Sequence, residues 1–395
     1  MPKLIYIVDD DPQVLHLLGQ VLKWCDSTWV IREFAEPEEA LEAVWTQPPH
    51  LVISDQRMPK MEGGVLLEKV RAVAPQTVRI LISGYVPTSS EIGAAHQYLA
   101  KPFRPQEVEQ CVLQAIHAQE RLERSSMAQT ITGLRSFPVI PEIYSKLMSA
   151  LEGETDSVEQ MAAILVQDGG ALTRVLQVAN SPMFRGGEVV TDAIEGISLL
   201  GTQTVKALSL SFHVFASYER LAIPELQVSS LWRHSLDTAQ LARMLCHDGG
   251  LGRVEADAAF FAGLVHSLGC LILLENFPEA YRKVCAEAGA SGRPLVVVES
   301  EQLPLNRTEV TAFLLRLWGM DEMMVEAVEF HGAPWKQPNK ARFTPADAVY
   351  VASIVCRQNS PPDPFATPQM EEIYVERLGI PGWAPSEAGT TLIER

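Results

Sequence analysis

Hydrophobic positions follow two different periods along this chain. Up to about residue 120, short apolar runs alternate with segments whose apolar residues recur every three or four positions. The runs are Leu4-Ile5-Tyr6-Ile7-Val8, Trp29 to Phe34, Leu51-Val52-Ile53, Val78 to Ile82 and Tyr98-Leu99. Leu51-Val52-Ile53, bounded by Pro and Gly, reads as a buried parallel strand, and the other runs read as strands. Between them Val14, Leu15, Leu17, Leu18, Val21 and Leu22 predict a helix, with Pro12 in its first turn and Asp11 as its N-cap. Shorter helices are expected from Glu38 to Trp45 and from Val65 through Val70, and a last one near Pro105. Alternating strands and helices predict an α/β fold, a doubly wound five-stranded parallel sheet.

From residue 131 onward strand patterning all but stops. Amphipathic segments follow one another: Val158 to Val166, Leu172 to Ala179, Ala193 to Leu200, Val205 to Ala216, Leu231 to Leu245, Ala258 to Leu274, Val310 to Trp318, Val325 to Phe330 and Ala346 to Val355. This predicts an all-α domain with its own core. Val296-Val297-Val298-Glu299 has strand-like composition but is assigned to helix or turn in this setting. Between the halves, Val108, Val112, Leu113 and Ile116 form one apolar stripe, followed by a charged stretch and Ser125-Ser126. The division is therefore 1–120, a connecting helix or linker at 105–133, and 134–395 with a proline-rich end.

Composition narrows the classes. The 395 residues are 47% hydrophobic and 21% charged, as in globular proteins. No apolar run reaches the roughly 18 residues of a membrane helix. The start, MPKLIYIVDDD, reads as a first strand and not a secretory signal, so a cytoplasmic protein is expected. A net charge of −17, with no basic recognition helix, disfavours nucleic acid. The six cysteines form no Cys-x-x-Cys pair and predict buried thiols rather than a zinc site or disulfides.

Chemistry collects at the strand ends. The first strand ends in Asp9 and Asp10, the third in Asp55 and the fourth in Ser83, while Lys101 follows the fifth. In open α/β sheets this edge binds ligands. Together the residues supply carboxylates for Mg²⁺, a cation and a hydroxyl, which suffices for phosphoryl transfer. In the helical half, His234, His266 and His331 lie on three segments and could gather round a metal. Hydrolytic sites normally add carboxylates, yet Ser267 follows His266, and neither His234 nor His331 has an acid beside it. The pair His247-Asp248 falls in a helix-end loop before Gly249-Gly250.

The motifs VDDDP, SDQRMPKMEGG, ILISG and YLAKPF resemble those of the receiver domain of two-component response regulators, over residues 3–120. The resemblance implies a flavodoxin-like fold and phosphorylation of Asp55 by a histidine kinase. Asp10, Asp55 and the main-chain carbonyl of Arg57 would bind Mg²⁺, with Asp9 acting largely through water. Lys101 would pair with the phosphoryl charge, Ser83 would hydrogen-bond it, and Tyr98 would reorient. A cis bond is implied before Pro102.

The pieces LVQDGGALTRVLQVANSPMF, AIEGISLLG, LWRHS, FFAGLVHSLGCLIL and AVEFHGAPW resemble the HDOD domain, a relative of the HD and HD-GYP phosphohydrolases, over about 134–360. His234, His266 and His331 stand where those hydrolases place metal ligands. Ser267 replaces their aspartate, Arg307 falls about where they have another histidine, Gly332 replaces a second histidine after His331, and Cys270 replaces a lysine. These positions are then vestigial, and no cofactor is expected in this domain. The resemblance implies a non-catalytic output that binds an unidentified protein, with a homodimer also open. The alternative is a degenerate phosphodiesterase or a nucleotide-binding domain. Asn180 reads as a helix C-cap.

Overall fold

The computed structural model describes residues 2–84, 95–122, 128–138, 140–150, 158–181, 184, 189–221, 227–293, 295–338 and 340–358. Ser125-Ser126, Pro182-Met183 of the ANSPMF stretch and the proline-rich end lie outside these residues. The chain divides into two compact units, Met1–Val139 with Phe313–Asp321, and Ile140–Ala312 with Glu322–Arg395.

In the first unit five parallel strands are ordered β2-β1-β3-β4-β5. They are β1 (Leu4–Val8), β2 (Val30–Phe34), β3 (Leu51–Asp55), β4 (Val78–Ser83) and β5 (Gln97–Ala100). Every residue of β1, β3 and β4 is buried, as expected of strands covered on both faces. Edge strand β2 buries only Phe34 fully. Helices α1 (Pro12–Cys25) and α4 (Pro105–Leu122) pack together, as do α2 (Pro37–Thr46) and α3 (Gly63–Val73). Asp11 caps α1 by accepting from the Gln13 N–H at 2.8 Å. The strand order reverses beside β1, so the ends of β1 and β3 lie side by side, with Val8 paired to Ser54.

After α4, a short helix α5 (Ala128–Thr132) lies in the same compact unit as the sheet, with Ile131, Leu134 and Phe137 buried.

The described part of the second unit is helical: α6 (Glu142–Ser149), α7 (Val158–Gln167), α8 (Gly169–Ala179), α9 (Ala193–Leu200), α10 (Thr202–Ser217), α11 (Val228–Asp248), α12 (Arg253–Val265), α13 (Leu268–Asn276), α14 (Pro278–Ser291), α15 (Leu295–Gln302), α16 (Arg307–Leu317, which passes to the first unit from Phe313), α17 (Glu322–Phe330) and α18 (Pro345–Gln358). Its centre is α12 against α11, α17 and α18. Val296 to Glu299 belongs to α15, so burial in a helical core overrides β-branched composition.

Three expectations need correction. The segment Ala258 to Leu274 is two helices, broken at His266–Ser267. The stretch Arg253–Asn276 is in fact long and apolar enough to cross a membrane by length and composition, but 94% of its most apolar part is buried inside the protein, which explains a mean hydropathy of 1.8 there. His247-Asp248 closes the last turn of α11 and is not in a loop.

Asn180 does more than cap α8. Its Nδ2 donates to Leu176 O at 2.9 Å and Val190 O at 2.8 Å, while its Oδ1 accepts from Val190 N at 2.9 Å. The side chain thus ties the end of α8 to the approach of α9. Asn180→Ala strands the amide and carbonyl of Val190, and about 2 kcal/mol of stability should be lost. A lower urea midpoint with unchanged slope is the expected result.

Candidate functional sites

Asp55 ends β3 at 7% exposure, and Asp9 follows β1 at 1%. Lys101, just beyond β5, reaches both: its Nζ bonds Asp9 Oδ2 at 2.9 Å and also Asp55 Oδ1. The other Asp55 oxygen accepts from the Arg57 N–H at 2.6 Å, and Asp9 Oδ1 accepts from Asp11 N at 2.9 Å. Burial raises the Asp9 pKa, with the Lys101 bond opposing the shift. For Lys101, burial alone pulls the pKa down, but the bonds to Asp55 and Asp9 outweigh it and the net shift is upward. Asp10 is exposed beside this pair.

Ser83 ends β4, 1% exposed, and its carbonyl accepts from the Lys101 N–H at 2.7 Å. The Tyr98 hydroxyl donates to the same carbonyl at 3.4 Å. The Lys101–Pro102 bond is cis. Asp9, Asp55, Ser83 and Lys101 are therefore gathered at one sheet edge. The donors are all oxygen, which fits a hard cation such as Mg²⁺. Among the described residues no three of His, Cys, Asp and Glu are close enough to hold a metal ion by themselves. A site of two carboxylates completed by a carbonyl and waters does not require such a group.

In the second unit the three predicted histidines do converge. The His234 and His266 rings lie 5.3 Å apart and those of His266 and His331 5.2 Å apart, in edge-to-face contacts. They are 7%, 3% and 7% exposed. His266 Nδ1 donates to Gly263 O at 2.7 Å, and His331 Nδ1 to Val328 O at 2.6 Å. The glycines of GLVHSLG permit this packing. A Cβ on Gly263 would sit 2.4 Å from Ala239 Cα, and one on Gly269 would sit 2.2 Å from Arg307 O. Both helices approach a neighbouring backbone too closely for any side chain.

Ser267, expected in place of an aspartate, bonds the Ser235 hydroxyl at 2.5 Å. Arg307 is 6% exposed, and its Nε donates to Glu299 Oε2 at 2.6 Å. Its Nη1 donates to Cys270 Sγ at 3.3 Å, and the Tyr281 hydroxyl donates to Glu299 Oε1 at 2.6 Å. Burial opposes the Arg307 charge, but Cys270 and Glu299 more than compensate, so its pKa shifts up. Burial pushes the Tyr281 hydroxyl well above its usual range. Sequence reasoning missed Glu299 and Tyr281. The available signal was Glu299 closing the apolar run Leu295 to Val298 of α15.

A family model described as the HDOD domain matches residues 137–334, and one described as the response regulator receiver domain matches 5–113. The chain belongs to the HDOD family. It is a response regulator in which a receiver precedes the HDOD domain. An HDOD domain protein of unknown function from Geobacter sulfurreducens shares the fold at 19% identity, with a TM-score of 0.51, over 70% of this chain and 89% of that one. A protein from Shewanella amazonensis SB2B, whose name proposes a phosphohydrolase, matches at 19% identity and a TM-score of 0.52, over 69% of this chain and 95% of that one. The transcriptional regulatory protein YesN of Bacillus subtilis, itself uncharacterized, is 25% identical over 65% of this chain and 67% of its own length. The chain spans less than half of the next curated relatives it matches, at 48% and 37% of their lengths.

Two outcomes follow from these sites. Lys101 has a folded pKa above its ordinary 10.5, so its contribution is complete below that value and is lost as pH rises through the folded pKa. Between neutral pH and strongly alkaline pH, wild type should lose more receiver stability than Lys101→Met. In the HDOD domain, Glu299→Gln or Arg307→Met alone leaves a buried charge uncompensated and should cost about 3–5 kcal/mol. The double variant should cost clearly less than the sum in urea unfolding.

Proposed function

We propose that the protein is a phosphorylation-controlled switch whose output is binding. The observation that carries this reading is Lys101 bonded to both Asp9 and Asp55, which holds a carboxylate nucleophile beside a cation at the open edge of the sheet. An Asp55 oxygen attacks the phosphorus of a phosphohistidine on a histidine kinase, the P–N bond breaks, and the histidine nitrogen takes up a proton. Asp10, Asp55 and the Arg57 carbonyl would hold Mg²⁺, with Asp9 acting through water. The ion supplies positive charge to the phosphoryl oxygens. Lys101 pairs with that charge, Ser83 donates its hydroxyl to a phosphoryl oxygen, and Tyr98 follows Ser83 inward.

The HDOD domain is read as non-catalytic, binding a downstream protein or a second copy of the chain. Support comes from the Arg307–Glu299 pair, a fixed internal cation at a position related to hydrolase metal sites, and from Ser267 in place of a carboxylate. Arginine stays charged and opposes a metal. A second reading, a phosphodiesterase or nucleotide-binding domain, draws on the three converging histidines and the name of the Shewanella protein. The transcriptional role in the name of YesN is not carried over, because a net charge of −17 repels DNA. The same reading places the protein in the cytoplasm, where histidine kinases present their phosphoryl groups.

A small phosphodonor with Mg²⁺ should add the mass of one phosphoryl group to wild type and none to Asp55→Asn. Equal labelling of the variant would sink the phosphoacceptor assignment. Partner binding or oligomeric state should differ between the two phosphorylation states. Purified protein should carry no stoichiometric transition metal and should leave cyclic dinucleotides intact; turnover would establish the second reading instead.

A further inference from the structure

Arg79 is among the largest fully buried side chains of the protein, and the phosphoacceptor chemistry makes no use of it. It lies at the start of β4, the strand whose far end carries Ser83. Its Nη1 donates to Thr77 O at 2.7 Å, and its Nη2 donates to Thr132 O at 2.7 Å. His96 stands beside it, just before β5. The His96 N–H donates to Arg79 O at 2.8 Å, and His96 Nδ1 accepts from Arg79 N at 3.0 Å. His96 Nε2 lies 3.1 Å from Thr132 O and 2.9 Å from Arg79 Nη2, so imidazole and guanidinium converge on that one carbonyl. Arg71 Nη1 donates to the next carbonyl, Gly133 O, at 3.3 Å. Burial lowers the Arg79 pKa to about 9 and the His96 pKa well below its ordinary value, so His96 is neutral as this bonding requires.

Thr132 ends α5, and the last carbonyls of a helix have no partner within it. Here guanidinium and imidazole donors satisfy them, and cations suit the negative end of the helix dipole. Phe137 packs edge-to-face on His96 with centroids 5.3 Å apart, and Ile131 and Leu134 are 0% and 3% exposed. Residues 131–138 are thus held by the strand ends opposite the phosphoacceptor edge.

We propose that Arg79 and His96 form a releasable clamp on residues 128–138, and that phosphorylation of Asp55 loosens it. The coupling rests on the phosphoacceptor reading above. β4 joins Ser83 to Arg79, and the chain from His96 through β5 leads to Lys101, so a pull at the phosphoryl end acts along both strands. Hydrogen bonds to one carbonyl tolerate little displacement, since they weaken steeply as the angle departs from linear. The clamp therefore has two states, engaged and open, and the receiver's output is the freeing of the segment after α4.

Hydrogen exchange on the full-length chain tests this. Beryllofluoride with Mg²⁺, at saturation followed by tryptophan fluorescence, should speed amide exchange in 128–138 at least tenfold in wild type. Arg79→Met should show that faster exchange without beryllofluoride while β1 and β3 stay protected. If Arg79→Met loses strand protection, His96→Ala takes its place, since it keeps the guanidinium and removes both imidazole bonds. Unchanged exchange of 128–138 in a folded variant overturns the clamp. Saturation that leaves 128–138 protected overturns its release by phosphorylation and spares the phosphoacceptor reading. Failure of beryllofluoride to bind defeats the phosphoacceptor reading, and the variants still decide whether the clamp exists.

Discussion

A charge removed from water must meet an opposite charge or an array of dipoles, or it costs several kcal/mol. Three buried or half-buried cations in this protein meet that constraint in three ways. Lys101 is answered by Asp9 and Asp55, Arg307 by Glu299, and Arg79 by main-chain carbonyls. Each solution locks a different part of the chain: the reactive edge of the sheet, the interior of the HDOD fold, and the segment that follows the receiver.

The first of these is open to competition. Lys101 lies at the open edge and is 27% exposed at its side chain, so an incoming anion can compete for it. Arg307 has no such access. It is closed in by Glu299, Cys270 and the Tyr281 bond to Glu299, and it is a permanent internal cation. The same electrostatic rule thus leaves one cation accessible and closes the other into a core. The three histidines fit this view. Their rings meet edge to face, His234 on His266 and His266 on His331, and two of them donate Nδ1 to carbonyls three residues earlier in the chain.

Much of the receiver is legible in the sequence, because its chemistry sits at strand ends and strand ends are marked by abrupt changes of polarity. Asp9, Asp55, Ser83 and Lys101 each close or follow an apolar run, and the parallel sheet brings such ends to one edge. Asp11 as a cap is readable for the same local reason, and the cis bond before Pro102 follows from the motif around Lys101. The helical half is less readable. Its helices are apolar on several faces, so periodicity does not show that Ala258 to Leu274 turns at His266, nor that Arg253–Asn276 is core rather than span.

The sequence by itself determined the two fold classes, the order of the domains and the acids, hydroxyl and lysine of the sheet edge around Asp55. These depend on local polarity and on motifs whose spacing survives in one dimension. Only the tertiary structure decided which charges meet. Glu299 and Arg307 are eight residues apart and bond within one core, but Arg79 finds its acceptor at Thr132, 53 residues away, through a carbonyl that every residue type possesses. No composition or period encodes a main-chain acceptor. The partner of a buried cation is set by packing, and it becomes visible only once the chain has folded around it.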